Sequence, residues 1–332
     1  MKKFFFFMSL MTSFIFAYPA LVKEELLFTN APFSSAHAST ICETAPGVFL
    51  VACFGGTEEQ ANDVAIWMQK YENGKWAAIK EIARHQDVPC WNPVLFALPS
   101  GEVLLFYKVG RAPFSWSGYL KRSYDGGESW THFEKLPAGI LGPAKNKPLL
   151  LEDGTLLCGT SWESYKADAC WVDVTKDFGK TWQKYGPIAL KDCEQGMIQP
   201  TLFQINDHTL FMLSRPRQGL RAIVKSISKD KGKSWSDPEV IEIANPDTGS
   251  DGVVLKDGKI VYVNNTQTLG RSKLDILVSN DQGNTFTSVF QLENEPGREF
   301  SYPAIIQAQN GDIHITYTYN RECIKHVVLN FE

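Results

Sequence analysis

The chain of 332 residues has no surplus of positive charge: 33 Lys and Arg stand against 37 Asp and Glu, a net charge of −4. A basic surface for nucleic acid is therefore not expected. Its seven cysteines, Cys42, Cys53, Cys90, Cys158, Cys170, Cys193 and Cys323, include no C-x-x-C pair. Zinc-ribbon and thioredoxin-type chemistry are thus poorly supported. The count is odd and the spacing outlines no disulfide framework. Cys42, Cys53 and Cys158 fall inside apolar strands and read as small core residues. No Walker loop, G-x-S-x-G, H-E-x-x-H or dinucleotide fingerprint occurs, so neither a cofactor nor a metal is expected. After the first 20 residues there is no apolar run long enough to span a bilayer and no convincing amphipathic helix.

The first residues differ from the rest. Lys2 and Lys3 precede an apolar run from Phe4 to Ala17. A positively charged start followed by a short apolar stretch reads as a secretory signal peptide, with cleavage near Ala17 or Ala20. The expected organisation is a signal peptide over residues 1–20 and a single domain over 21–332. The mature protein is expected to be secreted or periplasmic, with no stable membrane insertion.

What the chain has in quantity is turn residues and aromatics: 25 Gly, 17 Pro and nine Trp. They recur with a period. SYDGGESW ends at Trp130, TKDFGKTW at Trp182, SKDKGKSW at Trp235 and SNDQGNTF at Phe286, and a decayed copy, QKYENGKW, ends at Trp76. The gaps are 54, 52, 53 and 51 residues. Each box is a turn device: Asp accepts from turn amides, Gly supplies a positive φ, and the aromatic packs inward. About 312 mature residues at this period make six units. Between boxes lie short apolar strands: Gly47–Phe54, Val103–Lys108, Leu156–Thr160, Thr209–Ser214, Ile260–Asn264 and Ile313–Tyr317. Six four-stranded units arranged radially predict an all-β fold, a six-bladed β-propeller. The last unit lacks a strand, which Glu24–Phe28 can supply to close the ring.

The boxes mark one face. On the other, the same period picks out His37, Asn92, Asn146, Gln199, Asp251 and Tyr302 at the starts of the first strands. The ends of the second strands add Gly55–Glu59, Lys108–Arg111, Ser161–Glu163, Ser214–Arg215, Asn264–Arg271 and Thr318–Tyr319, with Lys147 beside Asn146. Polar residues of many types converging at one end of a rigid scaffold point to a binding site. Arg215 and Arg271 hold corresponding places in adjacent units, and two guanidinium forks aimed at one point suit a carboxylate.

The strings HASTICE, FGGTEE, CWNPVLF, LGPAKNKPLLL, QPTLF, GRSKLDILVS and EFSYPAII, together with the boxes, resemble the sialidase (neuraminidase) superfamily, especially its bacterial branch with BNR, or Asp-box, repeats. The resemblance covers almost all of the mature chain. It implies a sialidase-like propeller whose substrate is a glycan bearing a carboxylate. Sialidases hold that carboxylate with three arginines; the resemblance makes Arg215 the second and Arg271 the third. FSYPAII makes Tyr302 the nucleophile. A neutral phenol suits an anomeric carbon beside a carboxylate better than a carboxylate nucleophile would.

Two positions depart from the pattern. Where sialidases carry their first arginine this chain reads AHAS, with His37. Where they carry the glutamate that activates the tyrosine it has Gln199, which cannot act as a base. The acid/base aspartate falls in the first-unit loop, where the chain offers Glu58, Glu59 and Asp63. Candidate catalytic residues are thus Tyr302, Glu59, Asp63 and His37. Candidate substrate-binding residues are Arg215, Arg271, Lys108, Asn92, Lys147, Gln199 and Asp251. The expected function is a secreted exo-glycosidase acting on a terminal acidic sugar. Two alternatives are a lyase or hydrolase of uronate polysaccharide using His37 and Tyr302, and a non-catalytic glycan-binding propeller in which Trp91, Trp116, Trp162 and Tyr319 stack on sugars.

Overall fold

The computed structural model describes residues 18–164, 167–191, 196–217 and 219–331. Residues 1–17 of the expected signal peptide, and Cys193, lie outside this range. The chain forms six antiparallel sheets arranged as a β-propeller. Among the described residues there is no α-helix, only a 3-10 turn at Pro113–Ser115. Correspondingly, none is long and apolar enough to cross a membrane.

Each blade is built around a second strand with both faces covered. Val103–Val109 (VLLFYKV) is buried at every position, and Ile260–Asn264 and Leu210–Pro216 are too. A short, near-continuous apolar run is the sequence form of such a strand. The six runs read from the sequence all match these second strands, from Val48–Gly56 to Ile313–Tyr319, with Gly47 and Thr209 one residue ahead of theirs. The six described cysteines are buried and unpaired, with Cys53 and Cys158 fully enclosed.

The ring closes as the repeat arithmetic requires. Ala20–Leu27 pairs antiparallel with Cys323–Asn330, so the N-terminal strand becomes the outer strand of the last blade. The register places Glu24 opposite Val327 and Leu26 opposite Lys325. Pairing here covers an edge that would otherwise expose a row of amides and carbonyls.

The boxes are the turns between third and fourth strands. In the third blade the Thr175 hydroxyl donates to Asp177 Oδ1 (2.9 Å) and accepts from the Gly179 amide (2.8 Å). Asp177 also accepts from the Thr181 amide (2.8 Å) and hydroxyl (2.6 Å). Trp182 closes the turn by donating its indole N–H to the Gly179 carbonyl at 3.0 Å. Asp230 and Asp281 make the same set of bonds. Gly127, at φ +92°, shows why the box glycine resists substitution: a Cβ there would lie 2.6 Å from Leu50 of the neighbouring blade.

The Thr181 hydroxyl and amide hold the Asp177 carboxyl down at about 2. A carboxyl depressed on folding adds stability that is complete above the unfolded value, about pH 4, and is lost as pH falls through about 2. Asp177→Ala is expected to lower unfolding free energy at pH 7 by about 1–2 kcal/mol. The difference from the parent should shrink between about pH 4 and pH 2, as urea titrations at the two pH values would measure.

Candidate active site

The site begins with a backbone feature of the first strands. Pairing with the second strand slips between His37 and Thr40, Trp91 and Val94, Ile198 and Thr201, and Ser301 and Ala304. At each slip one residue takes a left-handed backbone: Ala38 (φ +57°), Asn92 (+32°), Gln199 (+50°) and Tyr302 (+53°). Non-glycine residues pay about 1–2 kcal/mol for this conformation. Pro93, Pro200 and Pro303 follow three of them. A bulge re-aims the side chain at its apex, and here Asn92, Gln199 and Tyr302 all line one cavity of about 230 Å³.

The period of the sequence puts His37 in this ring, but the structure puts Ala38 there. One residue of slip sends His37 to the other side of the strand. Its ring is 1% exposed, packs 4.2 Å from the Tyr302 ring and bonds Thr318 Oγ1 through Nδ1 at 2.9 Å. Burial, reinforced by Arg321, Arg271 and Arg215, holds it well below the usual histidine range. It backs Tyr302 rather than facing the cavity.

Around Tyr302 gather three arginines from three blades. Arg215 donates from Nη1 to the Tyr302 phenolic oxygen (2.6 Å) and to Gln199 Oε1 (3.1 Å), and from Nε to Asp247 (2.7 Å). Gln199 Nε2 also donates to the phenolic oxygen, at 3.4 Å. The guanidinium carbons of Arg215 and Arg271 each lie 5.7 Å from the Tyr302 ring centroid. Arg271 bonds Glu299 at 3.0 Å.

The third arginine, Arg321, escaped sequence reasoning. It occupies the hairpin that follows Thr318–Tyr319, where Asn320 (φ +53°) and Arg321 (φ +62°) form a tight left-handed turn. That three-residue turn between strands, residues 320–322, is the signal that could have found it. Its carbonyl accepts from the Ala36 amide at 2.8 Å, so it stands beside the first blade, next to the segment that lacks an arginine of its own. Its guanidinium is held by Glu59 and, at 3.0 Å, by Glu299.

Other candidates are used elsewhere. Asp63 is taken up by the Thr57 amide (3.0 Å) and hydroxyl (2.7 Å) and does not line the cavity; the Thr57 hydroxyl, with its amide, holds the carboxyl below its ordinary value. Lys147 and Asp251 pair with each other at 2.9 Å, linking the entry of the third blade to the fifth, and Asp251 also accepts from the Ile305 amide of the sixth (3.1 Å), so they staple blades together. Lys108 is fully buried and donates to the carbonyls of Pro143 and, at 3.3 Å, Asn92; burial lowers it to about 7. Lys145 does the same for Ser250 and Pro303 and is also lowered to about 7 by burial.

The cavity lining therefore carries Arg215, Arg217, Arg271 and Arg321 against Glu59 and Glu163, an excess of two positive charges. A small anion with flat, forked acceptors is the ligand such a lining fits.

The family model described as a BNR repeat-like domain matches residues 47–315. The chain belongs to that family, within the sialidase superfamily. A sialidase of Bacteroides fragilis (strain YCH46) is 24% identical over 218 residues, a match spanning 60% of this chain and 38% of the relative. The chain thus spans well under half of that relative's length. Among solved structures, a protein of unknown function from Dyadobacter fermentans superposes with a TM-score of 0.81 at 16% identity, covering 95% of this chain and 99% of that one. The intramolecular trans-sialidase of Ruminococcus gnavus, in complex with oseltamivir carboxylate, superposes with a TM-score of 0.74 at 12% identity, covering 94% and 98%. At these identities the structural likeness is one of fold.

Arg321→Ala is expected to weaken binding of an acidic monosaccharide by about 2–4 kcal/mol, as Arg215→Ala should. Lys147→Ala should lower the melting temperature and leave that affinity unchanged. Calorimetric titration of the three variants distinguishes the two groups.

Proposed function

We propose that this protein is an exported exo-glycosidase that releases a terminal acidic sugar from glycans. The observation that carries the reading is the convergence of Arg215, Arg271 and Arg321 on Tyr302 in one cavity. The arginines bind the sugar carboxylate, each already oriented by a carboxylate behind it: Asp247 for Arg215, and Glu299 for Arg271 and Arg321. Pre-oriented donors lose little entropy on binding.

Tyr302 is the nucleophile. Its oxygen receives N–H donors from Arg215 and Gln199, an arrangement that stabilises negative charge on it. No carboxylate is needed to hold that oxygen, which accounts for glutamine at 199. The sialidase named among the relatives supports this chemistry, and the substrate is written here only as an acidic sugar. A lyase using His37 as base is disfavoured, because that ring is buried behind Tyr302. Export follows from the N-terminal signal-like segment.

Tyr302→Phe is expected to abolish turnover of acidic glycosides while sparing their binding. The parent should release product with retained anomeric configuration, because attack by Tyr302 and then by water inverts the centre twice. Proton NMR of the first-formed product reads the configuration, and an inverted product would overturn the nucleophilic role. Mass spectrometry of exported protein should show Met1 removed.

A further inference from the structure

The arginine cavity does not stand alone. A second compartment of about 480 Å³ adjoins it, and the two share Pro113, Glu163 and Arg217 in their walls. Its character is different. Phe114 is 73% exposed and Trp162 44% exposed, and both line it. They come from corresponding loops of adjacent blades, Phe114 from the Pro113–Ser115 turn and Trp162 from the end of Leu156–Trp162. Exposed aromatics beside a charged cavity form a shelf suited to a sugar or aryl face.

Three carboxyls line the two compartments: Glu59, Asp168 and Glu163. Glu59 is bound to Arg321. Asp168 accepts from Arg217 Nε (2.8 Å) and from the Ser164 amide (3.0 Å). Glu163 alone of the three has no hydrogen-bond partner among the described residues, and it stands in the wall common to both spaces.

We propose that the Phe114–Trp162 compartment receives the leaving group of the glycoside and that Glu163 transfers the proton at the bond that spans the two compartments. This rests on the reading of the arginine cavity as the acidic-sugar site. A glycosidic bond that spans the two compartments crosses the wall they share, which Glu163 lines. Burial raises the Glu163 carboxyl above its ordinary value despite nearby Arg215 and Arg217.

The step balances. Tyr302 enters as the phenol; its proton passes to solvent water as its oxygen attacks and returns from solvent when that oxygen departs. Its oxygen bonds to the anomeric carbon as the bond from that carbon to the leaving oxygen breaks, and the Glu163 proton goes to that oxygen. Water then gives a proton to the Glu163 carboxylate while its oxygen bonds to the anomeric carbon. The Tyr302 oxygen departs with its electron pair. Both side chains return to their starting forms, and the sum is hydrolysis.

The test uses two leaving groups on one acidic sugar, 4-nitrophenol and a second sugar. Glu163→Gln is expected to slow the sugar-linked substrate by about 100-fold or more while the nitrophenyl substrate, which leaves without protonation, loses far less in its first step. The alkaline limb of the parent's kcat/KM profile should vanish in this variant. Trp162→Ala should raise KM for the sugar-linked substrate several-fold and leave the affinity for the free acidic monosaccharide unchanged. Glu163→Gln with parental rates on the sugar-linked substrate, while Tyr302→Phe is inactive, overturns the role of Glu163 and leaves the proposed function intact. A parent that binds both substrates and cleaves neither overturns both. Equal loss of monosaccharide and disaccharide affinity in Trp162→Ala overturns the leaving-group assignment of the shelf.

Discussion

The pocket face depends on the seam at which the last blade meets the first. A propeller has no terminal edge only if its two chain ends share a blade, and here Ala20–Leu27 completes the sheet of Phe300–Gln307, Ile313–Tyr319 and Cys323–Asn330. This pairing presses the last blade's hairpin against Ala36, through the Arg321 carbonyl, and stacks His37 on Tyr302. The nucleophile candidate, its buried backing ring and one of the three arginines are all held by that seam. The same seam carries a core cluster in which Leu27, Ala304 and Ile324 of the last blade pack with Ala36, Phe49 and Val51 of the first, so loosening it would disturb site and core together.

Electrostatics then decide what the face can hold. Arg215, Arg271 and Arg321 are each held by a carboxylate, so part of every charge is answered inside the protein. The lining itself carries two more arginines than carboxylates, and these are presented by rigid forks rather than mobile chains. Beneath lie Lys108 and Lys145, two ammonium groups with little access to water, donating to backbone carbonyls, Lys108 to Pro143 and Asn92 and Lys145 to Ser250 and Pro303. Burial disfavours their charged form. They serve as polar struts between blades rather than as ligands for substrate.

A repeated backbone device lies in the same place. Ala38, Asn92, Gln199 and Tyr302 share a left-handed bulge at the start of the first strand in four blades. The box hairpins on the opposite face also use positive φ, at Phe178, Lys231 and Gln282 and at the glycines that follow them, but there it makes a turn. On the pocket face the bulge instead delivers an aimed side chain.

The period, the number of blades, the closing strand and the placement of boxes and pocket on opposite faces were legible in the sequence. They rest on local rules: turn chemistry at Asp177 and Gly179, buried runs such as VLLFYKV, and constant spacing. Arg215, Gln199 and Tyr302 were legible as members of one ring for the same reason. Only the tertiary structure decided that Ala38, not His37, holds the first blade's place, since a bulge shifts the register by one residue. It alone withdrew Lys147 and Asp251 into a staple and Asp63 into its own loop, because those pairings join residues far apart in the chain or within an irregular turn. It alone brought Arg321 to the site, through a seam between the two ends of the molecule that no local pattern records.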